Sequence, residues 1–225
     1  MENIIKNTDT SGSVKERIHK VGIIPVVTLH QPESDALPLC EAILRGGIDV
    51  LEITFRREGA ERAITAIKRA YPNVLVGAGT VLDQKQAKIA EEAGADFVVT
   101  PGFDEDTVSY CQRKKLCIFP GCITPTEIQA ALACGLDTVK FFPAEQAGGI
   151  AMIKALTFPF ANIRFIPTGG VSLDNIEEYI SCPGVLACGG SYMVAQKLIE
   201  DKAWDKVEEL CRWSVEKIRE ARRNA

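Results

Sequence analysis

The chain has 225 residues, 46% of them hydrophobic and 25% charged, the make-up of an ordinary globular protein and not of a disordered segment. Its formal charge of −4 and pI near 5.4, with no block of Lys and Arg, argue against nucleic acid or a membrane surface as partner. No apolar run is long enough to cross a bilayer, and the opening MENIIKNTDTSGSVKERI lacks the apolar core of a signal peptide, so a cytoplasmic location is expected.

Residues 1–20 read as a polar tail and a short N-terminal helix. Then β-branched, apolar runs recur: Ile23 to Thr28, Val50 to Thr54, Val74 to Ala78, Phe97 to Thr100, Leu116 to Phe119, Thr138 to Phe142, Ile163 to Pro167 and Val185 to Cys188. Segments with helical periodicity lie between them, among them Ala36 to Leu44 and Ala60 to Ala70. Gly47-Ile48-Asp49, Gly94-Ala95-Asp96 and Gly135-Leu136-Asp137 repeat one junction, a glycine suited to ending a helix and an Asp at the edge of the next strand. Residues 203–222 read as a final amphipathic helix. Regular strand–helix alternation is the signature of βα units on a parallel sheet. Eight such units predict an α/β fold of the (β/α)8 TIM-barrel kind, with residues 1–225 as a single domain. The competing fold is an open doubly wound sheet, which the lack of a G-x-G-x-x-G helix entry disfavours.

The eight cysteines form no C-x-x-C pair, and most read as small buried hydrophobes in a reducing compartment. Only His19 and His30 are available, so no histidine-rich metal site is expected, and no cofactor is called for.

Chemically odd residues cluster where the strands end, which in a parallel barrel is the active face. Side chains alternate faces along a strand. Leu51, Ile53 and Phe55 therefore share the helix-facing side, and Val50, Glu52, Thr54 and Arg56 the interior. A carboxylate on an apolar strand is costly unless paired or used. The structural alternative is a Glu–Arg or Glu–Lys pair that merely fills the barrel. In the sixth run Thr138, Lys140 and Phe142 face inward. Lysine is rarely buried without a partner, although its stem also allows the ammonium to reach solvent. A neutral lysine amine is the form that attacks a ketone. Gly77-Ala78-Gly79-Thr80 ends the third run, either as a tight turn or as a small-residue mouth in which Thr80 donates to substrate. Pro167-Thr168-Gly169-Gly170 and Gly189-Gly190-Ser191 end the seventh and eighth, where barrels often bind phosphate.

These motifs, with Thr100-Pro101-Gly102 and Lys140-Phe141-Phe142-Pro143-Ala144-Glu145, resemble the 2-keto-3-deoxy-6-phosphogluconate (KDPG) and 4-hydroxy-2-oxoglutarate (KHG) aldolase family of class I pyruvate aldolases, from about Gly22 to Met193. The resemblance implies that Lys140 forms a Schiff base with a 2-keto acid and that Glu52 is the general acid–base. It implies that Arg56 and Thr80 hold the keto-acid carboxylate. Phe142 is then an aromatic wall, and Pro101 and Thr168 are further substrate contacts. Gly169, Gly170, Gly190 and Ser191 bind phosphate, and the assembly is a homotrimer. Departures from the family pattern fall at Val27-Thr28, where many members carry an Arg, at Phe55 and Arg57 around Arg56, and at Tyr192, where Trp is common. The expected reaction releases pyruvate and either glyceraldehyde 3-phosphate or glyoxylate. Alternatives are action on the galactonate epimer, a phosphate-binding barrel isomerase or synthase, and a barrel that binds without turnover.

Overall fold

The computed structural model describes residues 10–224; the first part of the expected polar tail, residues 1–9, lies outside them. Eight strands run in chain order: β1 (Ile23–Val27), β2 (Val50–Thr54), β3 (Leu75–Gly79), β4 (Phe97–Val99), β5 (Cys117–Phe119), β6 (Thr138–Phe141), β7 (Arg164–Pro167) and β8 (Cys188–Gly190). Helix α1 (Thr10–Val21) precedes them. Between strands lie α2 (Pro32–Arg45), α3 (Ala60–Ala70), α4 (Gln84–Glu92), α5 (Glu105–Arg113), α6 (Pro125–Ala133), α7 (Gly149–Thr157) and the short α8 (Ile176–Ile180). After β8 come a 3-10 turn (Tyr192–Val194), α9 (Gln196–Glu200) and α10 (Trp204–Arg223).

Six strands make one parallel sheet, ordered β5-β4-β3-β2-β1-β8, and β6 pairs with β7 in a second parallel ladder. Isolated parallel bridges join the two at both edges, Gly121 to Lys140 on one side and Phe165 to Val185 and Thr168 to Gly189 on the other. The ring is therefore closed, and the fold is the (β/α)8 barrel. Strands buried on both faces are apolar throughout, as in Ile23–Val27, because one face packs on helices and the other fills the barrel. Helices bury one stripe: in α3 it is Ala60, Ala63, Ile64 and Ile67, at helical spacing. Their starts are written locally. Asp83 and Asp104 accept backbone N–H groups at the starts of α4 and α5, and Thr124 with Glu127 forms a capping box at α6.

The repeated Gly-x-Asp junctions carry more than turn geometry. Asp49 pairs with Arg17 at 2.8 Å, Asp96 with Lys68 at 2.8 Å and Asp137 with Lys15 at 2.5 Å. Lys15 and Arg17 belong to α1, which buries Val14 and Ile18 and is thereby fastened to the N-terminal ends of two strands. None of the eight cysteines is in a disulfide, and burial pushes Cys40, Cys111, Cys122 and Cys211 up to about 12, so these four stay as thiols at neutral pH.

Two boundaries differ from the sequence reading for physical reasons. Helix α2 begins at Pro32, four positions before the apolar pattern, because proline suits a first helical turn. The eighth strand is Cys188–Gly190 and not Val185 to Cys188. Val185, Leu186 and Ala187 are buried, but the ladder with β1 runs through Cys188, Gly189 and Gly190. Glycine reads as loop in a sequence, yet here it serves close approach: a Cβ on Gly189 would overlap Thr168 Oγ1.

Candidate active site

The deepest part of the site is the pair foreseen from strand parity. Lys140 is fixed in β6 by backbone hydrogen bonds on its β5 side, donating to Pro120 O and accepting from Cys122 N, both at 2.9 Å. Its Nζ lies 3.7 Å from Glu52 Oε1, with side chains 4% and 3% exposed. That separation is an ion-pair distance beyond hydrogen-bond range. Glu52 Oε1 is the buried side-chain oxygen with no hydrogen-bond partner among the described residues. A buried ion pair is stabilising only when its remaining lone pairs are satisfied, so this oxygen is an unfilled acceptor of the kind functional sites retain. Its room is made by Gly79 on the neighbouring strand, where a Cβ would occupy the position of the Glu52 carboxylate. The aromatic face of Phe142 closes the other side, its ring centroid 5.2 Å from Nζ.

Above this pair, toward the C-terminal ends of the strands, lies a cavity of 720 Å³. Arg56, Phe142, Thr168, Gly169, Gly170 and Ser191 line it. Thr80 stands at its edge through Arg56, whose Nε donates to Thr80 Oγ1 at 3.2 Å. Thr80 has φ +54, a left-handed conformation a β-branched residue rarely adopts. Pro101 is placed by the segment just after β5: its carbonyl packs so closely on Gly121 that a Cβ there would collide. At the end of β8, Gly189 and the following Ser191 line the cavity, whereas Gly190 is buried beside Tyr192 and Ile23. Among the described residues no group of three or more His, Cys, Asp and Glu is arranged to hold a metal ion.

Several participants were not assigned from sequence. Thr28 lines the cavity and shares a 2.8 Å hydrogen bond with the buried Thr54, so the end of β1 presents a hydroxyl pair there. Tyr192 also lines the cavity and is anchored outward. Ser214 donates its only hydroxyl proton to Leu210 O at 2.7 Å, so the 2.6 Å contact between Tyr192 Oη and Ser214 Oγ has the tyrosine as donor. Glu145 accepts from Tyr179 Oη and packs where a Cβ on Gly170 would fall. Burial above all, then this bond, pushes the Tyr179 phenol well up. Glu145 had a signal in the Lys140–Glu145 motif, and Thr28 and Tyr192 had one as departures from the family pattern; Thr54, Tyr179 and Ser214 had no role assigned.

A closed parallel barrel with this deep lysine at its C-terminal face falls in the class of carbon–carbon lyases that the following matches define. The model for the KDPG and KHG aldolases matches residues 14–210. The 2-dehydro-3-deoxy-phosphogluconate aldolase of Treponema pallidum is 46% identical over 204 residues, 91% of this chain and 97% of that protein. Its counterpart in Haemophilus influenzae is 42% identical over 210 residues, 93% and 99% of the two chains. The crystal structure of KDPG aldolase from Legionella pneumophila, with pyruvate captured at low pH as a covalent carbinolamine intermediate, superposes with a TM-score of 0.85 at 37% identity, covering 88% of this chain and 96% of that one. The chain belongs to the KDPG and KHG aldolase family.

Proposed function

We propose that this chain is a class I aldolase that cleaves KDPG to pyruvate and glyceraldehyde 3-phosphate, and KHG to pyruvate and glyoxylate, through a Schiff base on Lys140. The observation that carries the reading is the buried Lys140 Nζ 3.7 Å from a Glu52 oxygen that has no hydrogen-bond partner among the described residues.

Transfer of one proton from Nζ to the Glu52 carboxylate leaves a neutral amine beside a carboxylic acid. The amine adds to the C2 ketone, and the acid returns its proton to the carbinolamine hydroxyl, which leaves as water. The C2–N iminium is then the electron sink. Glu52, again a carboxylate, takes the C4 hydroxyl proton as the C3–C4 bond breaks, and the bonding pair moves into a C2–C3 enamine. Protonation at C3 and hydrolysis free pyruvate and Lys140. Arg56 and Thr80 hold the keto-acid carboxylate, for which the planar guanidinium offers paired donors. Pro101, Phe142 and Thr168 shape the wall around the reacting carbons. Gly169, Gly170 and Ser191, which line the cavity, receive the phosphate of KDPG, and the buried Gly190 does not reach it.

Borohydride reduction with pyruvate is expected to leave a stable mass adduct on the peptide containing Lys140, absent from Lys140→Ala. An active Lys140→Ala enzyme, or an adduct elsewhere, would overturn the scheme. Because the iminium takes up the electron pair, a metal has no part in these steps, and activity in EDTA is expected at the untreated level. Phosphorylated substrate is expected to be preferred in kcat/KM by about tenfold or more, as charge-assisted hydrogen bonds of roughly 1.5–3 kcal/mol allow. We extend the proposal to a cytoplasmic homotrimer, for which light scattering is expected to give three times the 24.5 kDa chain mass.

A further inference from the structure

The loop after β7 presents three consecutive backbone N–H groups, those of Gly169, Gly170 and Val171, with no hydrogen-bond acceptor among the described residues. All three residues line the cavity. The carbonyls in the same peptide planes are each tied back. Ala144 N–H donates to Thr168 O at 2.8 Å, Glu145 N–H to Gly169 O at 3.1 Å, and Asn175 Nδ2 to Gly170 O at 3.0 Å. In a trans peptide the C=O and the following N–H point in opposite directions, so fixing each carbonyl aims the N–H behind it. Two of these ties are main chain. The third, which orients Val171 N–H, is a side chain.

Asn175 is doubly engaged. Its Oδ1 accepts from Ser172 N–H at 2.9 Å while its Nδ2 holds Gly170 O. It sits just before α8 and gives that helix no side-chain cap, although asparagine is a preferred capping residue. Its amide is spent on the loop and not on the helix. Bridging a carbonyl and an N–H at once needs a donor and an acceptor on one planar group, which a carboxylate lacks.

We propose that Asn175 is a positioning residue for anion recognition, holding the Gly170–Val171 peptide so that Val171 N–H meets the phosphate of a phosphorylated 2-keto acid. The proposal rests on the reading of Gly169 and Gly170 as a phosphate loop. Asn175 itself does not line the cavity; it acts through the backbone.

The test compares wild type, Asn175→Ala and Asn175→Ser on KDPG and on unphosphorylated KHG, with inorganic phosphate as a competing anion. In both variants the ratio of kcat/KM for KDPG over KHG is expected to fall about tenfold, through KM, as for one weakened hydrogen bond to a charged group. The inhibition constant of inorganic phosphate is expected to rise by a similar factor. Serine offers α8 a cap that Asn175 does not give, but is too short to span both loop groups, so Asn175→Ser is expected to recover Tm relative to Asn175→Ala without phosphate recognition. Full rescue by serine, or equal losses on the two substrates, would assign Asn175 to general fold stability alone and overturn the proposal. If wild type shows neither a preference for KDPG nor inhibition by phosphate, the phosphate-loop reading fails, and this proposal with it, before any variant is made.

Discussion

At the residue scale the chemistry depends on space as much as on charge. Glu52 keeps an unpartnered oxygen beside Lys140 because Gly79 withholds a side chain. Glu52→Gln is expected to lower kcat by about 10²–10⁴-fold, the usual worth of a positioned acid–base, with Tm nearly unchanged. Gly79→Ala is expected to reproduce much of that kinetic loss by displacing an intact carboxylate, with overpacking costing roughly 1–3 kcal/mol in denaturant melts. A Gly79→Ala enzyme with wild-type kcat would show that the carboxylate has another place to go. Lys140 and Glu52 were legible in the sequence because strand alternation fixes which face a residue takes, and a charge on the interior face of an apolar strand stands out. Thr28 with Thr54, and Asn175 with Gly170 and Ser172, were not. They are ordinary polar residues whose roles come from hydrogen bonds that no periodic pattern records.

At the element scale the informative pieces are the ones that close the barrel. The floor is fastened by α1 through ion pairs whose Asp partners end the repeated junctions. Burial raises the Asp137 carboxyl, but the hydrogen bonds from Lys15 and Thr138 outweigh it and hold the group below its ordinary 3.8. A depressed carboxylate adds stability that is fully present above its unfolded value and is lost as pH falls through the folded one. Tm is therefore expected to decline below pH 3.8, and the decline to be shallower in Lys15→Met. Asp137 is 54% exposed, so solvent screening keeps the difference small. At the other end Tyr192 ties the turn after β8 to α10 through Ser214. Tyr192→Phe is expected to cost about 1 kcal/mol in chemical denaturation, the net worth of one hydrogen bond, because Ser214 keeps its bond to Leu210 O. The junction motif was readable as a repeat, but not its ion pairs, since Lys15 and Asp137 are far apart in sequence. Strand eight was displaced in the reading because apolar Val185–Ala187 looks more like a strand than Cys188–Gly190 does.

At the scale of the whole molecule the alternation of eight runs was enough to foresee a closed barrel. How evenly it closes was not foreseeable, because bridge spacing depends on where glycines and prolines interrupt each ladder. Strands β2 and β3 share a continuous five-residue register, whereas the β6–β7 ribbon meets its neighbours through isolated bridges on either side. Lys140 rides on that ribbon, while Ser191 stands on the far side of the seam between β7 and β8. A molecule bonded to the lysine and gripped by the glycine loops would span this seam from within, as a rivet does. Native-state hydrogen exchange is the way to see it. Backbone amides of β6 to β8 are expected to exchange faster than those of β2 and β3 in the empty enzyme. That gap is expected to narrow when both ends of the cavity are filled, and to persist when pyruvate alone is trapped.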